Sequence, residues 1–240
     1  MNNQLKHITT MEKKYRLLEN DTVLVDDRKL YRIIALRDFA DVETGDKGGY
    51  VESENNLSQS CDSWVYGDAK VYDDAVVCDD AEVCGYAEVY GDAVVRGKAG
   101  VYGDAVVRGN AKVYGDANVY GDAVVHGNAK VYGDAEVCRN AEVYGDAKVY
   151  GDAVICGDAE ISDKAGYYVS KNIWSSGRYI TFTRSNKMWR VGCFHGTGEE
   201  LIRKAYQDSK VSGREYERIV RYVEEMYNDL KKDRRKNKKL

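Results

Sequence analysis

The chain has 240 residues, no proline, a formal net charge of −4 and 43% apolar residues. This length and composition predict one elongated domain with attached ends, or at most two small domains, and exclude rigid proline-rich linkers. The polar start lacks the apolar core of a secretory signal, and no apolar run approaches the length of a membrane span. We therefore expect a cytoplasmic protein that does not enter the membrane.

The first 64 residues are predicted to form a β cap on the segment that follows. Residues 15–18, 22–25 and 29–36 have the composition of short strands, with turns at 19–21 and 26–28. Residues 46–51 contain the pair Gly48 and Gly49 and are predicted to form a turn. This turn carries neither a P-loop pattern nor a dinucleotide fingerprint, so capping is favoured over phosphate binding.

Residues 65–166 repeat a six-residue unit seventeen times without a break, most often as Val-Tyr-Gly-Asp-Ala-X. The alternation in Ala-X-Val predicts a short strand with Ala and Val on its inner side, and Tyr-Gly-Asp predicts a turn. Three hexads then make one coil of eighteen residues, and coils stack as parallel strands about 4.8 Å apart. The segment is therefore predicted to be a β-solenoid rod.

The eighteen-residue period sorts the outward positions of the strands onto three faces. The first face carries Glu82, Gly100, Asn118, Glu136 and Val154; the second carries Lys70, Glu88, Val106, Val124 and Glu142; the third carries Val76, Val94, Lys112, Lys130 and Lys148.

The second face has a central break in its pattern, where valines replace acidic residues and a cation or an imidazole replaces tyrosine. We call these residues the second-face patch: Val106, Arg108, Asn110, Val124, His126 and Asn128. An exposed apolar pair is typical of a contact between copies of a chain. The alternatives are an anion or small-ligand site between subunits, built on Arg108 and His126, and no function at all.

The third face carries a secondary basic ladder, made of Arg96, Lys112, Tyr114, Lys130, Tyr132, Lys148 and Tyr150. Amines about 4.8 Å apart can meet a polyanion, and tyrosines can stack on bases. The turns beside the ladder carry Asp116, Asp134 and Asp152, which are expected to neutralise the amines locally. A solvated ladder is therefore favoured over a nucleic-acid site.

Residues 167–230 are predicted to form a hairpin and two helices. The hairpin joins residues 178–184 to 187–194, Thr197 and Glu200 form a capping box, and the first helix ends at Asp208. The second helix has apolar residues at three-and-four spacing from Tyr216 to Leu230, and packing within the chain is favoured for them. Residues 231–240 hold seven Lys or Arg and are predicted to be a disordered basic tail, with nucleic acid or an acidic partner as the alternative.

The hexads resemble those of the hexapeptide-repeat family, with an aliphatic residue at position one and a small residue at position five. The resemblance covers residues 65–166, although this chain places Tyr at position two, where the family usually has a small or acidic residue. It implies a left-handed parallel β-helix, and trimers with the rods side by side. The family includes acyltransferases, a class of carbonic anhydrases and proteins without known chemistry.

The N-terminal segment is similar to uncharacterised hexapeptide-repeat proteins of bacteria and their phages. The residues that carry this similarity are 35–39, 48–51 and 56–58. The similarity brings no catalytic residue, and it implies the host cytoplasm if the protein is phage-encoded.

The six cysteines show no CxxC pair and no metal spacing. Cys138 and Cys156 are predicted to lie one coil apart, within reach of a disulfide, but free thiols are favoured in a cytoplasmic protein. No metal is expected: a zinc site of the carbonic-anhydrase kind needs three convergent histidines, and the rod has His126 alone. The turn aspartates favour turn formation, with calcium binding as the alternative.

A rod without an inserted loop offers no walled cleft in which a thioester and an acceptor could meet a general base. His7 lies near the N-terminus and His195 lies beyond the rod, so His126 alone can face a neighbouring subunit. We therefore predict a non-catalytic binding or scaffold protein, without a cofactor, that oligomerises and binds a host protein or a small anionic ligand. Host interference or ligand sequestration is the role expected of a phage protein. The alternative is an acyl-CoA-dependent acyltransferase with its site between subunits.

Overall fold

The computed structural model describes residues 12–237, with side chains described as far as residue 230. His7 lies outside the described residues, as do the side chains of the predicted basic tail. Within the described part the protein is mainly β, with a parallel β-solenoid at its centre, as predicted.

The N-terminal segment forms three strands and a short 3-10 helix: β1 (Tyr15–Val25), β2 (Arg28–Ala35), β3 (Lys47–Val51) and the 3-10 helix Glu54–Asn56. The predicted turn at residues 19–21 is wrong, because β1 continues through it as a bulge between Leu18 and Thr22. Asp21 in this bulge accepts ion pairs from Arg32 at 3.2 Å and Lys47 at 3.0 Å, so its charge is used for tertiary contacts.

The glycine pair also differs from its prediction, because Gly48 and Gly49 lie inside β3 and are buried. A Cβ atom on Gly48 would lie 2.5 Å from the Val65 carbonyl oxygen, and one on Gly49 would lie 2.5 Å from the Ala69 carbonyl oxygen. These glycines therefore allow β3 to pack closely against the first turn of the rod.

Each hexad contributes one short strand between residues 64 and 161. In chain order these strands are β4 (Trp64–Val65), β5 (Lys70–Val71), β6 (Val76–Val77), β7 (Glu82–Val83), β8 (Glu88–Val89), β9 (Val94–Val95), β10 (Gly100–Gly103), β11 (Val106–Val107), β12 (Lys112–Gly115), β13 (Asn118–Gly121), β14 (Val124–Val125), β15 (Lys130–Gly133), β16 (Glu136–Cys138), β17 (Glu142–Val143), β18 (Lys148–Val149), β19 (Val154–Cys156) and β20 (Glu160–Ile161).

The strands form three parallel sheets in which every third strand pairs, which confirms the eighteen-residue coil. The first-face sheet runs from β4 to β19, the third-face sheet runs from β6 to β18, and the second-face sheet runs from β5 to β20 and continues through β3, β2 and β1. The position-one residues from Val65 to Ile161 and the position-five alanines from Ala69 to Ala159 are 0% exposed, so the inward assignment is also confirmed. The left hand of the helix stays a prediction.

The two cysteines one coil apart contradict the preference for free thiols. Cys138 of β16 and Cys156 of β19 are partners in register, with Cα atoms 4.8 Å apart, and they form a disulfide. Both side chains are buried. Parallel stacking brings the two sulfur atoms together, an effect that the redox argument from composition does not include.

The C-terminal segment is an antiparallel sheet followed by two helices: β21 (Tyr167–Lys171), β22 (Tyr179–Thr183), β23 (Met188–Val191), β24 (Phe194–Gly196), α1 (Gly198–Asp208) and α2 (Lys210–Asn237). The hairpin and the Thr197–Glu200 capping box are confirmed. The apolar stripe of α2 packs within the chain, where Tyr216, Val220 and Val223 are buried. α2 includes most of the backbone of the segment predicted to be a disordered tail.

The C-terminal sheet lies against the end of the rod. The Val154 amide donates to Thr181 Oγ1 at 3.1 Å, and the Glu160 amide donates to Ser185 Oγ at 2.8 Å. Within residues 12–237, neither helix combines the length and the apolar character that crossing a membrane would require.

Candidate functional site

The second-face patch is built on the adjacent strands β11 and β14. Val106 and Val124 are partners in register, and both are half-buried. The backbone amides of Arg108 and His126 donate to carbonyl groups in the next coil, each at 2.9 Å. These ladder bonds fix the direction of the two polar side chains, so the structure brings all four residues together on one face.

Polar pairs bound the patch at both ends. On one side Lys70 forms an ion pair with Glu88 at 2.8 Å, and Tyr72 stacks on Tyr90 with ring centres 4.9 Å apart. On the other side His126 Nε2 lies 2.7 Å from Glu142 Oε1. Val106 lies in register beside Glu88, and Val124 lies in register beside Glu142, so the apolar centre of the face is two residues wide.

Arg108 is the cation of the patch that has no carboxylate partner. In the part of the chain with described side chains, its guanidinium takes part in no hydrogen bond or ion pair. Asn128 donates to Asp146 Oδ1 at 3.0 Å. Asn110, in the turn after β11, occupies the fourth position of its hexad, where most hexads have an aspartate. An unpaired planar guanidinium beside apolar surface is suited to a carboxylate or phosphate group of a ligand or a second subunit.

His126 is engaged within its own chain. Besides its contact with Glu142, its ring stacks on Tyr144 at 5.5 Å between centres. The sequence prediction missed Glu142, although the signal is present: a position-two side chain bonds to a Glu sixteen residues later. The same spacing joins Tyr72 to Glu88 and Tyr120 to Glu136.

The secondary basic ladder forms a continuous column on the third face. Lys112, Lys130 and Lys148 follow one another in register. Tyr132 stacks between Tyr114 and Tyr150, at 4.9 Å and 5.4 Å. The Arg96 guanidinium lies 5.2 Å from the Tyr114 ring centre.

The predicted neutralisation of this ladder does not take the form of ion pairs. Among the described side chains, the three lysines make no contact with a carboxylate within 4.0 Å. Asp152 instead accepts a hydrogen bond from Tyr179, and the pKa of Tyr179 is raised by that contact. The lysine column therefore lies beside the tyrosine stack without an ion-paired carboxylate among the described side chains.

Two open grooves lie near the N-terminal strands and away from the patch. The larger, about 550 Å³, is lined by Arg28, Glu52, Ser53, Asp73, Asp74, Gly91 and Asp92. Arg28 already forms an ion pair with Asp73 at 2.7 Å. The smaller, about 390 Å³, lies within the loop of residues 38–44. In the smaller groove the hydroxyl and the amide of Thr44 both donate to Asp38 Oδ1, at 2.6 Å and 2.8 Å, so this pair closes the loop on itself.

A family described as "YdcK Beta solenoid repeat" matches residues 111–127. This segment is about one coil of the rod and includes Val124 and His126 of the patch. No curated protein matches the chain. The match and the parallel sheets together show a β-solenoid repeat protein.

Proposed function

We propose that the protein is a non-catalytic binding scaffold that associates with copies of itself through the second-face patch. The observation that carries the proposal is the unpaired Arg108 beside the apolar pair Val106 and Val124, bounded by satisfied polar pairs. Burying the valines against a second rod would stabilise the contact, and a guanidinium at its edge would hold a small anion between subunits.

The resemblance to the hexapeptide-repeat family supports a trimer with side-by-side rods as the form of this assembly. The resemblance to bacterial and phage proteins supports a role in the host cytoplasm, by interference with a host protein or by sequestration of a ligand. The basic residues 231–240 are the part of the chain suited to nucleic acid.

Native mass spectrometry of the wild type and of Val124→Lys tests the self-association. Lysine at 124 would lie beside Glu142 in register, so the variant keeps a favourable contact in the folded rod. The same amine would be desolvated in the assembly, and we expect at least a tenfold weaker association. Val76→Lys is the matched control, because it makes the same change on the third face.

A wild-type monomer at micromolar concentration would overturn the proposal. Equal assembly by Val124→Lys and Val76→Lys would also do so, because the contact would then not involve the second face.

The acyltransferase is a second candidate, favoured by the His126–Glu142 contact. A carboxylate that orients an imidazole is an arrangement used in general base catalysis. Titration with acetyl-CoA separates the two functions: a transferase would bind it and would lose turnover in His126→Gln, whereas the scaffold would assemble unchanged without it.

A further inference from the structure

Arg139 occupies a backbone position that the rod otherwise gives to small or turn-forming residues. The third position of all the remaining hexads is Gly or Asp. Gly121 and Gly157, the residues one coil before and one coil after Arg139, have φ of 72° and 77°. Arg139 adopts the same left-handed region, with φ of 59°. A long side chain is strained in that region, and strain of this kind is a reason to look for a function.

The C-terminal sheet places two further polar side chains at the same corner of the rod. Arg190 of β23 and His195 of β24 are directly opposite each other in the antiparallel pair, so they lie on the same face of that sheet. A Cβ atom on Gly157 would lie 3.2 Å from His195 Cε1 and 3.4 Å from His195 Nε2. The imidazole therefore rests on the turn of Gly157.

Arg139 lies one coil away from that glycine. Cys138 and Cys156 are partners in register, so the residues that follow them, Arg139 and Gly157, occupy successive layers of one corner. Arg139, Arg190 and His195 thus converge from two separately formed sheets, and we call them the corner cluster.

The corner cluster has unused hydrogen-bonding capacity. His195 Nε2 is buried and has no hydrogen-bond partner. Neither arginine forms an ion pair with any side chain that the structure describes. The nearby acid, Asp158, is already bonded by Asn140 Nδ2 at 2.9 Å.

The charges of the cluster also favour an added anion. Burial lowers the pKa of His195, and the positive charges of Arg139 and Arg190 lower it further, against a smaller opposing effect of Asp158. His195 is therefore neutral near pH 7, and a neutral imidazole can present an N–H donor from Nε2. A buried donor without a partner is unfavourable, so an acceptor placed there would be stabilised.

We propose that the corner cluster binds a phosphate group, held by the guanidinium groups of Arg139 and Arg190 and by the imidazole of His195. Planar guanidinium groups match the oxygens of a phosphate in pairs, and the imidazole adds a third donor. Gly157 has no side chain, so the imidazole can pack directly on its turn beside Arg139. This site uses no residue of the second-face patch and is independent of the proposed function.

The variant Arg139→Gly gives a sharp test, because glycine is the residue that the repeat itself prefers there. Its melting temperature should rise as the left-handed strain is removed, so weaker binding cannot be attributed to unfolding. By isothermal titration calorimetry with inorganic phosphate and, separately, glycerol phosphate, we expect binding by the wild type and at least tenfold weaker binding by Arg139→Gly. Arg190→Gln should show the same loss.

Lys98→Asn is the matched control, since it removes one positive charge from a rod turn and also moves the turn towards the repeat. It should bind both probes as the wild type does. Binding of glycerol phosphate alone would identify an organic phosphate as the ligand, and binding of inorganic phosphate alone would identify the free ion.

Two results would overturn the proposal. One is the absence of binding of either probe to the wild type at millimolar concentration. The other is binding that Arg139→Gly retains, or that leaves the imidazole nitrogen signals of His195 unshifted in a nitrogen-15 NMR spectrum.

Discussion

Lys14, immediately before β1, has a fully buried side chain between the N-terminal strands and the rod. Its Nζ donates to the Ser63 carbonyl oxygen at 2.6 Å, and lies 5.0 Å from the centre of the Phe39 ring. Burial lowers the pKa of this amine to about 8, and the charge of Arg37 acts in the same direction. The charged form is therefore less favourable in the folded protein than in the unfolded chain.

This lowered pKa predicts a pH dependence of stability. Between pH 8 and the ordinary lysine pKa of 10.5 the unfolded chain holds the proton that folded Lys14 releases, so the free energy of unfolding should rise with pH in this window. Chemical denaturation at pH 7.5, 8.5 and 9.5 measures the slope, and Lys14→Met should flatten it. Tyrosines such as Tyr120, whose pKa is raised to about 12, act oppositely above pH 10. If the free energy of unfolding has the same pH dependence in the wild type and in Lys14→Met, Lys14 is not its cause.

Val113 represents the inward valines, since it lies in β12 near the middle of the rod and is 0% exposed. The substitution Val113→Asp would bury a carboxylate without a partner, and we expect a loss of about 3 to 5 kcal/mol in stability. Thermal unfolding followed by circular dichroism measures it. Lys112→Asp, on the outward side of the same strand, should change the melting temperature much less; equal melting of both variants would contradict the inward assignment.

Between neighbouring strands, the disulfide of Cys138 and Cys156 joins two coils that the backbone ladder already pairs. Closing a loop of eighteen residues in the unfolded chain predicts a stabilisation of about 3 kcal/mol. A reducing agent should therefore lower the melting temperature of the wild type and leave that of Cys156→Ser unchanged. The prediction fails if the wild type, shown by mass to be reduced, melts at its oxidised temperature.

The start of α1 carries a second local prediction. Thr197 Oγ1 accepts from the Glu200 amide at 3.3 Å, and the Glu200 carboxylate accepts from the Thr197 amide at 2.8 Å. Thr197→Ala removes the first of these bonds and should lower stability by about 1 kcal/mol in urea unfolding. Thr197→Ser keeps the hydroxyl and should retain most of the stability, which distinguishes capping from packing of the threonine methyl group.

The elements of the rod could be predicted from the sequence because each one is repeated. Because the period is six, the same positions form the strand, the turn and the inward side in every hexad. A wrong assignment in one coil would therefore be wrong in all of them. The ends have no such repetition. The predicted turn at Gly48 and Gly49 is wrong because glycine occurs both in turns and where backbones pack closely, and the sequence alone does not distinguish these two roles.

The two candidate sites also differ in how far the sequence predicts them, according to whether they lie within the repeat or at its end. The second-face patch could be found because Val106 and Arg108 depart from a known pattern, while its internal partner Glu142 needed the geometry of adjacent coils. The corner cluster could not be found in this way: the position of His195 depends on how the C-terminal sheet docks on the rod. Arg139 is itself a departure from the repeat, and that signal was present in the sequence.

At the scale of the whole molecule, the two end units are attached to opposite ends of the rod. β1 to β3 extend the second-face sheet at one end, whereas the C-terminal segment bonds to the first-face strand β19 and the second-face strand β20 at the other. The six strands of the first-face sheet, about 4.8 Å apart, span about 24 Å. Because the coils contact only their neighbours, the separation of the end units depends on the number of coils alone.

Because each hexad supplies one strand, the number of hexads determines both the length of the rod and the face on which it ends. Each added hexad advances the chain by one face, so an insertion of eighteen residues would lengthen the rod by one layer and return every face to its original phase. An insertion of six would turn the C-terminal sheet by one third of a revolution relative to β1, and would move the second-face patch and the corner cluster out of their present alignment. One integer, the number of hexads, thus sets both the distance and the angle between the two ends of the molecule.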